Sequence, residues 1–286
     1  AAPLVVKHEI VVLPSASTLA VLRAEKGERK TAAKQLAVLA DPVFEAQDER
    51  VQTLNVKLEK KDEKPAETSD GARGLLLKKV AMETGVVADA KLSIPRLPYT
   101  RQEAEAILAL VPEAERQASF DFNASRAALA DETLGQARVV HVATHGFLNS
   151  LNPELSGLVL SLVNEQGAAQ NGYLLAPELY NLKLDATELV VLSACQTGLG
   201  KEVRGEGLIG LTRGLMYAGA PRVVVSLWSV SDRATAELMK VFYQGLFERK
   251  LRPAAALRAA QVALAKDKRW QAPYYWAAFT LQGEWR

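Results

Sequence analysis

The chain has 286 residues, a formal net charge of +2, 49% apolar and 24% charged residues. That balance suits a globular protein with a substantial core; it excludes a strongly basic nucleic-acid surface, and no apolar run approaches the ~18 residues of a membrane span. A single cysteine, Cys195, excludes an internal disulfide framework and fits a reducing compartment, so a cytoplasmic location is expected.

The chain opens Ala1-Ala2-Pro3-Leu4 without a methionine, which suggests a domain cut from a longer protein. Leu4 to Leu13 is rich in β-branched residues and reads as a strand. Ser15 or Ser17 is placed to cap a helix reaching about Lys26. Gln35 to Asp41 reads as a second strand, stopped by Pro42. Between residues 57 and 74 charges of both signs mix with Pro65 and Gly71, the composition of a solvated loop or insertion. Pro98-Tyr99-Thr100-Arg101-Gln102-Glu103 reads as a helix start, with Thr100 and Glu103 at capping-box spacing. From there strands near 137–143, 156–162, 188–194 and 222–228 alternate with helices near 206–218, 232–248 and 253–266, and Tyr274 to Gln282 reads as a last strand. Such alternation means an α/β fold with a largely parallel sheet. Trp270, Pro273, Tyr274, Tyr275 and Trp276 form an aromatic cluster suited to closing the core.

Chemistry concentrates at strand ends. Val139-Val140-His141-Val142-Ala143-Thr144-His145-Gly146 and Val190-Val191-Leu192-Ser193-Ala194-Cys195-Gln196 are apolar runs with polar tips. Carboxyl ends of parallel strands face one side, where ligands bind, so a Cys/His nucleophile pair is the leading reading. His141 and His145 are four apart, but no Glu follows His141. On a strand their rings would lie about 13 Å apart, too far to share a metal. His141 is read as a strand residue with a structural hydrogen bond, or as one that supports the site from behind, and His145, before Gly146, as functional. Gly205-Glu206-Gly207-Leu208-Ile209-Gly210 fits G-x-G-x-x-G, yet it lies ten residues past its strand, so the glycines are read as helix-packing residues. Gly198-Leu199-Gly200-Lys201 lacks the parts of a phosphate loop. Asp232 follows the strand near 222–228 and suits either a helix first turn or an acidic group on the same rim.

His145 precedes Cys195 by 50 residues (195 − 145), a spacing similar to that of caspases. Val140-His141-Val142-Ala143-Thr144-His145-Gly146 with Leu192-Ser193-Ala194-Cys195-Gln196-Thr197-Gly198 resembles the CHAT family, caspase-like cysteine peptidase domains often joined to tetratricopeptide repeats. The resemblance continues through Leu97-Pro98-Tyr99-Thr100-Arg101-Gln102-Glu103-Ala104, Ala218-Gly219-Ala220, Ser226-Leu227-Trp228-Ser229-Val230-Ser231-Asp232 and Tyr275-Trp276-Ala277-Ala278-Phe279. It implies one caspase–hemoglobinase-like domain over residues 1–286, with a mostly parallel six-stranded sheet flanked by helices on both faces. Within it lies an N-terminal subregion of about 1–95, and repeats would precede the domain.

The resemblance further implies peptide-bond hydrolysis, with His145 as general base and acid and Cys195 as nucleophile. Backbone N–H groups of Gly146 and Cys195 are expected to form the oxyanion hole. Substrate is expected to run along Ser226 to Trp228. Asp232 resembles the acid that receives a basic P1 side chain in separases, which implies cleavage after Arg or Lys. Ser193 is neutral where metacaspases place an acid. Lys60, Lys61, Lys64 and Arg73 make the 57–74 region a candidate for self-cleavage. No cofactor and no metal are expected. The expected partners are a protein or peptide substrate and a regulatory repeat domain or activator, with neither nucleic acid nor membrane. The alternatives are a catalytically silent caspase-like scaffold and, resting only on the 205–210 glycines, a dinucleotide-binding oxidoreductase.

Overall fold

The computed structural model describes residues 2–24, 29–51, 94–149, 152–196 and 206–285; at 195, 196, 206 and 207 it describes the backbone alone. The charged 57–74 region lies outside the described residues, as do Gly198–Lys201 and Gly205. The strands are β1 (Val11–Val12), β2 (Lys34–Pro42), β3 (Arg116–Asp121), β4 (Ala137–Ala143), β5 (His145–Phe147), β6 (Gly157–Val159), β7 (Tyr173–Leu175), β8 (Leu189–Leu192), β9 (Cys195–Gln196), β10 (Arg222–Ser226) and β11 (Phe279–Gly283). The helices are α1 (Ala16–Ala24), α2 (Pro98–Leu108), α3 (Arg126–Ala130), α4 (Ala176–Leu179), α5 (Glu206–Tyr217), α6 (Asp232–Phe247), α7 (Pro253–Lys266) and α8 (Pro273–Trp276).

The main sheet runs β1-β11-β10-β8-β4-β2-β3. All its neighbours pair in parallel except β10 with β11. Its six long strands are those the fold class called for; the seventh, β1, adds two residues at the edge beside β11. Period-2 alternation divides the core. Leu36, Val38, Val139, Val191 and Val224 face α2, α6 and α7. Ala37, Leu39, Val140, Val142, Val190 and Val223 face α3, α4 and α5. Helices on both faces explain why the strands read as unbroken apolar runs.

Three local expectations are corrected. Leu4–Val6 forms a 3-10 turn, and only Val11–Val12 pair; Leu4 and Ile10 are exposed, and without burial a β-branched run has little to hold it extended. The Thr100/Glu103 capping box does not form, because α2 starts at Pro98 and Thr100 Oγ1 donates to the Leu97 carbonyl from inside the first turn. Before β11, residues 273–276 form α8, with Pro273 in the first turn, where its missing N–H costs nothing. At the start of α1, by contrast, Ser15 Oγ accepts the Thr18 N–H at 3.0 Å as a cap should.

Freed from capping, the Glu103 side chain enters the core. Its Oε1 lies 2.9 Å from Nε2 of His141, both side chains fully buried, although the two are off the line of a hydrogen bond. His141 Nδ1 lies 3.0 Å from the Tyr243 hydroxyl, and the rings meet edge to face. His141 is thus the structural strand histidine, joining β4 to α2 and α6. Breaking such a buried pair leaves a polar group without compensation. Glu103→Ala is expected to cost about 3–5 kcal/mol by urea denaturation; a loss below about 1 kcal/mol would show that the pair contributes little.

Candidate functional site

The site grows from where the central strands end. Adjacent β4 and β8 stop at Ala143 and Leu192. After short breaks both chains resume as β5 and β9, in a second sheet ordered β7-β6-β5-β9. There His145 pairs with Cys195 and Gly146 with Gln196 in a parallel register. On the other side His145 pairs with Val159, and Val159 with Tyr173. One row of this sheet therefore runs Tyr173, Val159, His145, Cys195, with neighbouring strands ~4.8 Å apart.

The rows have opposite environments. Leu158 and Leu174, level with Gly146, pack into the core between the sheets. Val159 and Tyr173, level with His145, join Phe44, Ile94 and Phe147 in a separate apolar cluster. Gly146 eases the close approach: a Cβ there would come within 3.3 Å of the Ala194 Cβ, a tight contact. The Thr144 hydroxyl, bonded to the Val159 carbonyl, fixes the break between β4 and β5.

His145 is only 1% exposed. Its Nε2 lies 2.7 Å from the Pro95 carbonyl oxygen, and since a carbonyl only accepts, Nε2 carries the proton and donates it. Nδ1 is then the basic nitrogen; it is buried and has no hydrogen-bond partner among the described residues. Phe44 lies against the ring at a centroid distance of 5.2 Å. Burial pushes the imidazole below its ordinary pKa, partly opposed by the Pro95 hydrogen bond.

The other expected residues share this rim. Ser193 continues the alternation of Leu189 and Val191 toward the α6 face. It is 3% exposed, its N–H donates to the Val142 carbonyl, and its Oγ has no hydrogen-bond partner among the described residues. Ser226 Oγ donates to the Trp228 carbonyl at 2.6 Å, and the half-buried Trp228 indole donates to the Tyr274 carbonyl at 3.0 Å. Asp232 opens α6, and its Oδ2 accepts the Tyr99 N–H at 3.1 Å. Burial first, then the Glu103 and Asp41 carboxylates, pushes Asp232 up to about 6, while the Tyr99 hydrogen bond opposes the shift.

Sequence reasoning missed Pro95, Phe44, Asp41 and Arg96. A carbonyl acceptor has no sequence signature, because every residue carries one. The only available clue was position: the crevice forms where β2 and β4 lie side by side but lead in opposite directions across the sheet, to β3 and to β8. No group of three or more potential metal ligands occurs among the described residues, and no described helix is long and apolar enough to cross a membrane.

The CHAT domain profile matches residues 1–284. Tetratricopeptide repeat protein 28 of Mus musculus is 38% identical over 110 residues, 38% of this chain and 4% of that protein. Its Homo sapiens counterpart is 32% identical over 183 residues, 52% of this chain and 7% of that protein. The chain thus spans less than a tenth of either relative. Among solved structures, the Arg specific cysteine proteinase gingipain R superposes with a TM-score of 0.53 at 10% identity, covering 95% of this chain and 52% of the other; the likeness is one of fold.

The buried ring makes a direct prediction. In an NMR titration, His145 is expected to take up its proton below the ordinary histidine value of about 6.5. A midpoint at or above that value would contradict the sealed geometry.

Proposed function

The chain belongs to the CHAT-domain family, and on that premise we propose that it is a caspase-like cysteine endopeptidase, with Cys195 as nucleophile and His145 as its base and acid. The observation that carries this reading is the β5–β9 register, which makes positions 145 and 195 neighbours while Pro95 fixes the imidazole tautomer. Nδ1 of His145 takes the thiol proton, and the thiolate attacks the scissile carbonyl. The imidazolium then protonates the leaving amine. In the second half-reaction Nδ1 takes a proton from water, hydroxide attacks the acyl-enzyme, and the thiol is restored. Such acid–base transfer contributes about 10²–10⁴-fold. Backbone N–H groups of Gly146 and Cys195 serve the oxyanion, each contributing about 3–4 kcal/mol when aligned.

Asp232 is proposed to receive a basic P1 side chain, with Ser193, Ser226 and Trp228 lining the substrate path. A half-buried carboxylate selects a cation by a charge-assisted hydrogen bond. Gingipain R is described as Arg specific, but the preference here rests on Asp232. By analogy with the tetratricopeptide repeat relatives, a repeat domain is the proposed regulator. Cleavage within the 57–74 region is the proposed form of self-processing.

The sealing of His145 also favours a second reading, a catalytically silent caspase-like binding module, since a substrate has no path to a ring 1% exposed. An electrophilic peptide probe with P1 Arg separates the two. The peptidase reading expects covalent labelling of Cys195, lost in Cys195→Ala and reduced at least a hundredfold in His145→Ala, with any new termini from the 57–74 region absent in Cys195→Ala by mass spectrometry. No labelling between pH 5 and 9, either of this chain alone or of the full-length protein with its repeat domain, would favour the silent module.

The P1 assignment has its own test. Asp232 is charged above about pH 6 and neutral below it, so KM for Arg and Lys peptides is expected to rise as the pH falls through 6. Asp232→Asn is expected to lower kcat/KM for them about ten- to a hundredfold, the loss of one charged hydrogen bond of about 1.5–3 kcal/mol. Preference for small or acidic P1 residues, unchanged in Asp232→Asn, would refute it.

A further inference from the structure

Ile94 to Tyr99 crosses the rim as a strap between β2 and the start of α2. The Ile94 N–H donates to Glu45 Oε1 at 3.0 Å, the Pro95 carbonyl accepts His145 Nε2–H at 2.7 Å, and the Tyr99 N–H donates to Asp232. Between these contacts stands Arg96. Its Nε and one terminal nitrogen grip both oxygens of Asp41 at 2.9 and 2.8 Å, and the other terminal nitrogen meets Glu49 at 3.1 Å.

The receiving carboxylate is built for this grip. Asp41 is fully buried and sits where β2 shifts register against β3, in the left-handed region at φ 52°. A bulge redirects the side chain, and a left-handed non-glycine residue persists only when its surroundings hold it there. Arg50 supplies part of that hold, reaching Asp41 at 3.1 Å and Asp121 at 2.8 Å. A planar guanidinium on a buried carboxylate fixes distance and angle together, which a lysine ammonium does not.

We propose that Arg96 is a positioning residue for the imidazole of His145: by its two-point grip on Asp41 it holds the Pro95 carbonyl against Nε2–H, fixing the ring's tautomer and its aim at position 195. The proposal deepens the reading of His145 as general base and rests on it for its kinetic consequence. The charged groups around the strap are Asp41 in β2, Glu45, Asp48, Glu49 and Arg50 in the segment that follows it, Arg96 on the strap itself and Asp232 at the head of α6. Without the grip the strap lifts, the ring gains water and loses its orientation. Misplacing a catalytic group by about 1 Å costs on the order of a hundredfold in rate.

The test compares Arg96→Gln and Arg96→Lys with Arg101→Gln, which removes two neighbouring ion pairs, to Asp121 and to Glu105, but no contact to Asp41 itself. Two readouts apply to each folded variant: the NMR titration midpoint of His145, which needs no turnover, and kcat and KM on a P1-Arg peptide. Arg96→Gln is expected to raise the His145 midpoint toward the ordinary value, to lower kcat about ten- to a hundredfold and to leave KM within twofold. Arg96→Lys is expected to fall between it and wild type, and Arg101→Gln to match wild type. If Arg96→Gln unfolds, the intermediate shift in Arg96→Lys decides. Wild-type midpoints and kcat in the folded Arg96 variants, or an equal shift in Arg101→Gln, would overturn the proposal. A shifted midpoint in Arg96→Gln together with full activity in His145→Ala would uphold the positioning role and remove the general-base reading instead.

Discussion

The ladder between β5 and β9 is two residues long, and the candidate chemistry depends on it. It forms because β4 and β8 are parallel neighbours that end at the same level of the sheet. Each chain then leaves the main sheet and pairs again just beyond its edge. This brings positions 145 and 195, 50 apart in sequence, to adjacent places in one ladder. Placing reactive groups on strands limits their wandering, as near-attack geometry requires.

Around that ladder the molecule uses polar contacts where the core is driest. His141 is met by Glu103 and Tyr243 on one face of the main sheet, and Asp41 by Arg96 and Arg50 at the sheet's end. Both clusters join a central strand to elements from distant parts of the chain. Their geometric demands fix how α2, α6 and the strap sit, a constraint that apolar packing alone supplies less sharply. The strap carries this order to the site: its backbone meets His145 at one end and Asp232 at the other. The proposed base and the proposed specificity acid therefore share one mechanical support.

The same arrangement closes the site. Phe44 and Ile94 pack over the row that holds His145, and the imidazole is almost without solvent contact. Dryness favours the neutral imidazole and strengthens every dipole aimed into the site. Under the proposed peptidase reading, a substrate would displace part of this cover, which is where a regulatory partner would act.

The sequence by itself determined β2, β4, β8, β10 and most of β11, and the places of His145 and Cys195, because strands buried on both faces write continuous apolar runs and both residues stand where such runs stop; it missed β3, a half-buried edge strand whose polar residues write no such run. It also marked His141 as structural, since strand spacing separates it from His145. It misread the Thr100/Glu103 pair, because local capping competes with burial, and burial beside His141 decided where Glu103 went. It gave no sign of β5, β7 or β9, each two or three residues long, which pair only because a partner is already in place. Only the tertiary structure decided that the Pro95 carbonyl fixes the imidazole and that Arg96 reaches Asp41. These contacts join residues 50 and 55 apart in sequence, and their partners are a backbone oxygen and a common ion pair. No residue type announces either; the fold brings them together after the sheet has set its ends.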